Sequence, residues 1–400
     1  MKPSIGLLLA LAWLPAGCGR DAAPAPAGTI VADSAGIEIV TSDPLSSDAY
    51  CTLSEQPVFS VGTIEGDEPY MFGRIQDVTR LSDGSIAVVD GSSREVRMFD
   101  EAGAHLRSIG GRGEGPGEFT DPWLFWVLPG DTLWVSRDYM PWQFNVYSSG
   151  GAYLRMVEPT PFGVHSFARG GVLDNGTSVN VSQVAPATDD SRIPFQLIAM
   201  AHGPDGVLID TIARLPGPRL FPSTESSNYN VIPLFEPSAL VAARGATVAM
   251  TDAREPEVRL MDDDFRLHRI VRWLEPGREV TAAHVEAFRE DYLAERGGPA
   301  SEDWGVGDEV LVTEQRPVAD SFATASDLIV GRNGRLWVER FTRPREQESW
   351  MAFDRGGGPL CHLTNPASLT IHEFGADYVL GVHRNELDVE SVVMYELRVP

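Results

Sequence analysis

Short runs of alternating apolar and polar residues dominate the chain between residues 57 and 400. Alternation with a period of two is typical of β-strands that have one buried face. Turn signals such as Asp83-Gly84 and Gly150-Gly151 separate the runs. The pattern therefore predicts a series of antiparallel hairpins and an all-β fold.

The predicted strands recur in units of four. In the first unit, residues 72–90 contain two strands around an Asp-Gly turn, and residues 95–109 contain two more. The second unit repeats this pattern, with Phe119 in the position of Phe72. Four antiparallel strands form one blade of a β-propeller, so six units predict six blades. The later units begin near residues 171, 240, 328 and 369.

The two ends of the repeat array complement each other. The last unit, residues 369–397, lacks a fourth strand, whereas residues 57–62 form a strand without a unit of its own. We expect this N-terminal strand to complete the sixth blade and close the ring, because closure removes the exposed sheet edge. Residues 29–33 and 37–41 predict a further hairpin at the same seam.

One segment departs from the strand pattern. Thr281 is a suitable N-cap, apolar residues follow it at helical spacing, and Gly-Gly-Pro at 297–299 ends the segment. The pattern predicts one inserted helix at about residues 282–296. The helix either packs across one face of the ring or covers its central opening.

The glycine-rich stretch at residues 108–119, SIGGRGEGPGEF, looks at first like a phosphate-binding loop. A phosphate loop connects a strand to the N-terminus of a helix, whereas the element predicted after this stretch is another strand. Glu114 and Glu118 also disfavour a phosphate. We therefore interpret the stretch as the crossing from one blade to the next.

Three motifs of the first unit resemble a known group of propellers. Leu-x-Asp-Gly-x-Ile-x-Val-x-Asp spans residues 81–90, Val-x-x-Phe-Asp-x-x-Gly spans residues 96–103, and Ile-Gly with a glycine-rich tail follows. The set is similar to the six-bladed propellers of the NHL and TolB-like group, especially exported bacterial lipoproteins of that type. The resemblance covers nearly all of residues 57–400. It implies a fold but no activity, because this architecture has many unrelated functions.

The N-terminal residues predict export. Residues 1–17 combine Lys2, an apolar run and small residues before Cys18, as a signal peptide does. The sequence Leu-Pro-Ala-Gly-Cys at 14–18 resembles the bacterial lipobox, although Pro15 departs from the usual pattern. Two alternatives remain, which are lipidation of Cys18 and a plain signal peptide that is cut nearby.

The predicted domain organisation follows from this beginning. Residues 18–28 are an Ala/Pro-rich tether, and residues 29–400 form a single propeller domain. The expected location is the cell envelope, as an outer-membrane lipoprotein that faces the periplasm or the surface and touches the membrane only through its lipid.

Charge and cysteine content narrow the possible partners. The chain has 57 Asp and Glu against 32 Lys and Arg, a formal net charge of −25. Nucleic acid is excluded as a partner, because phosphate contacts require concentrated positive charge. Apart from Cys18, the cysteines are Cys51 and Cys361, which form either a disulfide or two buried free thiols.

Candidate site residues are polar side chains near the starts of predicted inner strands. Hydrolytic and lyase propellers that the fold resembles hold an axial metal there, with a Glu/Asp/Asn set or several histidines. The candidate set here is chemically mixed, and the chain contains no His-Glu-x-x-His or Gly-x-Ser-x-Gly motif. The candidates come from five units: Arg74, Asp77, Asp121, His165, Asp320 and His372.

These observations favour a non-enzymatic lipoprotein that binds or scaffolds a protein, a peptide or a small ligand on its loops or central funnel. No cofactor is predicted for that function. The alternative is a propeller hydrolase or lyase with an axial divalent metal, either calcium or zinc. Four aromatic residues near the second unit either form an exposed face for a glycan or peptide or, as we expect, fill the core: Trp123, Trp126, Tyr139 and Trp142.

Overall fold

The N-terminal part of the chain forms short strands before the regular sheets begin. The computed structural model describes residues 28–43, 49–138, 142–165, 169–185, 193–222, 230–295 and 316–400. Residues 1–17 and Cys18, which carry the export and lipidation predictions, lie outside these ranges. The first strands are β1 (Ile30–Ser34), β2 (Ile37–Ser42), β3 (Thr52–Leu53) and β4 (Phe59–Val61), and a short 3-10 helix follows at Glu68–Tyr70.

Two four-stranded meanders come next, and in each the strands pair antiparallel in chain order. The first contains β5 (Ile75–Arg80), β6 (Ile86–Asp90), β7 (Glu95–Phe99) and β8 (His105–Gly110). The second contains β9 (Phe125–Leu128), β10 (Thr132–Asp138), β11 (Gln143–Tyr147) and β12 (Tyr153–Val157). Strand β6 is buried along its whole length, because a middle strand has a neighbouring sheet on each face.

Nine strands of the next part of the chain, together with β1 and β2, form one 11-stranded sheet that contains two further meanders. Before the link these strands are β13 (Val164–His165), β14 (Gly170–Leu173), β15 (Ser178–Val184), β16 (Gln196–His202) and β17 (Leu208–Pro216). After it they are β20 (Leu240–Gly245), β21 (Thr247–Thr251), β22 (Glu257–Met261) and β23 (Leu267–Trp273). Between them, β18 (Phe221–Pro222) and β19 (Asn230–Val231) form a separate two-stranded sheet. The first strands of the two meanders, β14 and β20, pair in parallel and join them.

The C-terminal part contains the helix and two more sheets. The helix is α1 (Ala282–Glu295), and the strands after it are β24 (Asp327–Val330), β25 (Leu336–Glu339), β26 (Ser349–Phe353), β27 (Pro359–Thr364), β28 (Leu369–Phe374), β29 (Tyr378–Arg384) and β30 (Glu390–Arg398). Strand β30 pairs with β29 on one side and with β4 and β3 from the N-terminal part on the other.

The first strand of every meander lies at the centre of the molecule. Strand β5 contacts β9, β9 contacts β14, β14 contacts β20, β20 contacts β24, β24 contacts β28, and β28 contacts β5. The remaining strands of each meander extend outward from this ring. The described residues therefore form a β-propeller with one α-helix, and the alternation of apolar residues predicts this all-β fold.

Most of the core lies between neighbouring sheets. Trp337 on β25 is fully buried and stacks on Phe374 of β28, with ring centroids 3.9 Å apart. Trp134 on β10 is also buried, at 1% exposure. Aromatic rings in these positions bury a large apolar area between adjacent sheets, and this burial is the main stabilising term of such a fold.

The glycine-rich stretch is the predicted crossing between sheets. It leads from the outer strand β8 to the inner strand β9. Phe119 is fully buried, and a side chain on Gly110, which has a φ of 91°, would come within 2.2 Å of the Phe119 ring. The glycine is therefore required by both its backbone conformation and the close approach of the ring.

The predicted N-terminal hairpin exists, but its predicted position is wrong. Strands β1 and β2 pair as expected, yet β2 pairs in parallel with β23 rather than with the last sheet. Val40 of β2 is buried there, and Glu38 forms an ion pair with Arg269 of β23. These contacts with the outer strand β23, which is distant in sequence, determine where the hairpin lies.

Cys51 and Cys361 form a disulfide in the structure, with Cα atoms 5.4 Å apart. Cys51 precedes β3, which pairs with β30, and Cys361 lies on β27. The bond therefore joins the N-terminal segment to the sheet of β24–β27, which lies beside the sheet that contains β30. Both cysteines are buried. The bond closes a loop of 310 residues, and loops of that length restrict the unfolded chain most strongly.

Helix α1 agrees with the predicted helix in position, and residue 296 lies outside the described ranges. Val285 and Phe288 pack against an apolar cluster that includes Phe235 and Phe322, which lie before β20 and β24. None of the described helical residues lines the central cavity of the ring. Within the described part of the chain, no helix is long and apolar enough to cross a membrane.

Two glycines of β14 face its two neighbouring strands, Gly170 facing β15 and Gly171 facing β20. A side chain on Gly170 would lie 2.2 Å from the carbonyl oxygen of Val179, and one on Gly171 would lie 1.9 Å from that of Ala243. Both distances are far below van der Waals contact, and the opposing atoms belong to the backbone. Strand β14 therefore approaches β15 and β20 this closely only because Gly170 and Gly171 have no Cβ atom.

We predict that Gly171→Ala lowers the free energy of unfolding by about 3 kcal/mol or more, because the new methyl group meets backbone that cannot move aside. Urea denaturation followed by circular dichroism measures the loss. The matched control is Gly150→Ala, whose new Cβ has its nearest neighbour 3.7 Å away. A Gly171→Ala variant as stable as this control would contradict the close approach of the two strands.

Candidate functional site

A cavity of about 80 Å³ lies at the centre of the ring of inner strands. Its walls come from all six of these strands, β5, β9, β14, β20, β24 and β28. Part of the wall is apolar, formed by Trp126, Ile329 and Val330. The polar and charged side chains that line it are Asp77, Thr79, Arg169, Arg244, His372 and Glu373.

Asp77 and His372 form a pair in this cavity, although they are 295 residues apart. The imidazole Nδ1 lies 2.9 Å from Oδ1 of Asp77. An ionised carboxylate only accepts hydrogen bonds, so Nδ1 carries the proton and donates it. The backbone N–H of Phe125 donates to the other carboxylate oxygen, at 3.0 Å. Asp77 thus sets the orientation of the His372 ring.

β-Bulges place both members of this pair. The register of β28 shifts between Ile371 and Glu373, and the register of β5 shifts between Ile75 and Asp77. A bulge interrupts the alternation of side chains, so the consecutive residues His372 and Glu373 both line the cavity.

Glu373 is a buried carboxylate, at 2% exposure, held by five donors from several sheets. Burial alone would raise the pKa of Glu373, but the guanidinium groups of Arg244 and Arg332 lower it to about 2. The carboxylate is therefore ionised at neutral pH. Its donors are Thr79 Oγ1 at 2.7 Å, the Arg80 N–H at 3.4 Å, Arg244 Nη2 at 3.3 Å, Arg332 Nε at 2.8 Å and Tyr378 Oη at 2.6 Å.

Arg169 lies beside the start of β14 and forms an ion pair with Asp327 at the start of β24. Its Nε lies 3.1 and 2.9 Å from the two carboxylate oxygens, and Nη2 lies 2.8 Å from Oδ2. Burial opposes the charge of Arg169, but Asp327 outweighs this effect and raises the pKa of the guanidinium. The pair connects two inner strands across the ring.

A second carboxyl group lies behind this pair. Glu339 on β25 is the cross-strand neighbour of Asp327, and the hydroxyl of Ser326 donates to it at 2.7 Å. Burial raises the pKa of Glu339 to about 7, with further contributions from the charges of Asp327 and Glu348. The Ser326 hydrogen bond and the charge of Arg169 oppose this rise without cancelling it.

The sequence-predicted candidates divide into separate groups. The structure brings Asp77 and His372 together in the cavity. Arg74 and Asp121 also meet, as an ion pair of 2.8 Å, but their side chains are 51% and 50% exposed and do not line the cavity. An exposed pair of this kind contributes little to stability or to chemistry.

Two other candidates do not join the central pair. Asp320 is exposed and lies outside the cavity lining, in the segment that packs near α1. The backbone of His165 pairs with Ser182 in β15, and the side chain of His165 lies outside the described part of the structure. The mixed set of candidates therefore does not converge on one point within the described residues.

Sequence reasoning missed Arg169, Arg244 and Glu373. Arg244 lies near the end of an inner strand rather than at its start, and Glu373 follows a bulge that no residue pattern indicates. One signal was present in the sequence. Gly170-Gly171 directly after Arg169 indicates a close backbone approach, and such approaches often accompany binding sites.

The aromatic group of the second meander is mainly core. Trp142 is buried, and its indole N–H donates to Asn180 at 2.9 Å. Trp126 stacks on Phe144, with centroids 4.7 Å apart, and also lines the central cavity. Trp123 packs edge-on against Trp142, while Tyr139 lies outside the described residues.

The described residues contain no group of three His, Cys, Asp or Glu side chains positioned to hold a metal ion. At the cavity, the Asp77 oxygens already accept protein hydrogen bonds, and Glu373 is held by two arginines. Divalent cations require several oxygen or imidazole ligands without competing cations. The donor set at this position does not fit a calcium or zinc site.

Comparison with known proteins agrees with the propeller architecture. The family model DUF5128, described as a 6-bladed beta-propeller, matches residues 43–132, less than a quarter of the chain. No curated protein sequence matches. Among solved structures, an exported protein from Bacteroides fragilis is 14% identical, with 90% of this chain and 99% of that protein covered and a TM-score of 0.52. This likeness shows the fold alone.

Other solved structures resemble the chain more distantly. A member of the DUF4221 family from Bacteroides vulgatus is 9% identical, with 88% of this chain and 100% of that protein covered and a TM-score of 0.49. The calcium-binding protein regucalcin from Agrobacterium tumefaciens is 8% identical, with 86% and 95% covered and a TM-score of 0.38.

We predict that the raised pKa of Glu339 makes stability depend on pH. The unfolded chain loses the proton near pH 4.5, whereas the folded protein keeps it up to about pH 7. The contribution of this carboxyl group to the free energy of unfolding is therefore complete below pH 4.5 and is lost as the pH rises through 7. The full loss is up to about 3 kcal/mol.

Glu339→Gln has no proton to lose, so its stability relative to the native protein should increase between pH 4.5 and 8. Urea midpoints measured across this range test the prediction. Glu65→Gln, at an exposed position, controls for the change in net charge. A difference between Glu339→Gln and the native protein that stays constant with pH would refute the assignment.

Proposed function

We propose that the protein is an exported, envelope-anchored six-bladed β-propeller that binds a ligand at its centre without chemically changing it. The six-blade count is supported by the ring of six inner strands and by the description of the matching family model. Closure by the N-terminal strand is supported by the pairing of β4 with β30. A closed ring protects the sheet edges and holds the central side chains rigidly.

The observation that carries the binding function is the charged central cavity. A packed propeller axis needs no ionisable groups, and burying them costs free energy unless each is paired. Here Arg169, Arg244, Asp77 and Glu373 line one cavity, and protein partners hold each of them in place. Preorganised polar groups in a concave site are typical of ligand recognition.

The alternative function is catalytic, as a hydrolase or lyase. The Asp77–His372 pair favours it, because a carboxylate that orients an imidazole is a common arrangement for proton transfer. The version of this function that uses an axial divalent metal has less support, since the arginines that hold Glu373 compete with a cation. We therefore favour binding.

Native mass spectrometry tests the binding function. Protein purified gently from its own envelope should carry a small molecule, and the double variant Arg169→Gln/Arg244→Gln should lose it. Elemental analysis of the same samples tests the alternative. A stoichiometric calcium or zinc ion that is lost in His372→Ala would support the metal enzyme and overturn our preference.

Envelope anchoring rests on Cys18 and the residues before it. We predict that the native protein incorporates radiolabelled palmitate and sediments with membranes, because the lipid supplies the only membrane contact. Cys18→Ser should be unlabelled and remain in the supernatant. If the native protein is also unlabelled and does not sediment, the plain signal peptide is the correct alternative.

A further inference from the structure

The carboxylate oxygens that line the central cavity already accept hydrogen bonds from the protein. Oδ1 of Asp77 accepts from His372 Nδ1 and from the Val78 N–H, each at 2.9 Å, and Oδ2 accepts from the Phe125 N–H. Five donors from the protein saturate the carboxylate of Glu373. A ligand that offers hydrogen-bond donors therefore finds few oxygen atoms available in this cavity.

Donors, in contrast, remain available. A guanidinium has five N–H groups. The described residues give the side chain of Arg244 one partner, Glu373, while 35% of that side chain stays exposed within the cavity wall. Arg169 directs Nε and Nη2 at Asp327, which leaves its Nη1 without a partner among the described residues. An acceptor-rich ligand is therefore favoured.

The total charge of the site sets the charge of the ligand. The described residues that line the cavity, together with their ion-pair partners, include three guanidinium groups and three carboxylates, whose charges balance. This count does not include His372. One additional negative charge can be held by the free N–H groups, whereas two in a low-dielectric site would repel each other and the carboxylates. The balanced groups are Arg169, Arg244 and Arg332 against Asp77, Asp327 and Glu373.

The shape of the cavity indicates a small ligand with an apolar part. Its volume of about 80 Å³ corresponds to roughly six water-sized groups. Arg244 of β20 lies opposite Val172 of β14 in the parallel pairing of the two strands. Small residues precede this position on both strands, Gly170-Gly171 on β14 and Ala242-Ala243 on β20. Trp126, Ile329 and Val330 complete the apolar lining.

We propose that the central cavity binds a short-chain organic monocarboxylate, with its carboxylate on Arg244 and its alkyl part against Trp126, Ile329 and Val330. This inference deepens the proposed binding function and depends on it. Arg244 is the anchor because it has the most unused N–H groups, and a guanidinium binds a carboxylate through two parallel hydrogen bonds.

Isothermal titration of the full chain with matched probes tests the proposal. Butyrate should bind with a Kd between about 10 µM and 1 mM. Butyramide has the same number of non-hydrogen atoms but no charge, and it should bind at least tenfold more weakly. Inorganic phosphate, which lacks an alkyl part, should also bind more weakly. Equal binding of butyramide, tighter binding of phosphate, or no binding of butyrate would each overturn the proposal.

Variants at Arg244 locate the site. Arg244→Gln should weaken butyrate binding by about tenfold or more, and Arg244→Lys, which keeps the charge but not the paired donors, should weaken it less. The matched control is Arg259→Gln. When Arg244 is replaced, Glu373 still has Arg332 as an ion-pair partner. When Arg259 is replaced, Glu257 likewise still has Arg272. Melting temperatures establish that each variant is folded.

The outcomes separate this inference from the function on which it depends. A neutral molecule found by native mass spectrometry, together with failure of butyrate to bind, would overturn the carboxylate proposal and leave the binding function intact. No bound molecule and no butyrate binding would contradict both. Unchanged butyrate binding in folded Arg244→Gln would exclude Arg244 as the anchor.

Discussion

The ionised carboxylate of Glu373 is the interaction on which the centre of this propeller depends. Its partners come from different parts of the chain: Thr79 on β5, Arg244 on β20, Arg332 after β24 and Tyr378 on β29. A buried carboxylate without partners would cost several kcal/mol. The sheets must therefore meet at Glu373 for its carboxylate to have these hydrogen-bond and ion-pair partners.

This constraint acts together with the close approach of β14 and β20. Gly171 of β14 lets the two strands pair in parallel, and the pairing sets where Arg169 and Arg244 lie along one wall of the cavity. The bulge in β28 then places both His372 and Glu373 on the opposite side. Small backbone features thus determine which charged groups share a cavity.

Rigidity is a consequence of the same arrangement. The cavity side chains are held by ion pairs and backbone donors before any ligand arrives, so binding would order few further groups. The periphery is held separately, by interleaved aromatic rings such as Trp337 and Phe374 and by the Cys51–Cys361 disulfide. The outer strands can therefore vary in length, as the longer strands β16 and β17 do, without disturbing the centre.

The sequence by itself determined the strand pattern, the repeating meander, the inserted helix and the crossing at residues 108–119, because these features depend on local periodicity and turn chemistry. It also indicated Asp77 and His372, which lie on inner strands. Only the tertiary structure decided that these two residues meet, while Arg74 and Asp121 pair at the surface.

The tertiary structure also decided the partner strand of the N-terminal hairpin and the contribution of Arg169, Arg244 and Glu373 to the cavity. The physical reason is the same in each case. Strand register, bulges and contacts between sheets join residues that are up to hundreds of positions apart, and local residue patterns carry no information about which distant surface a strand will face.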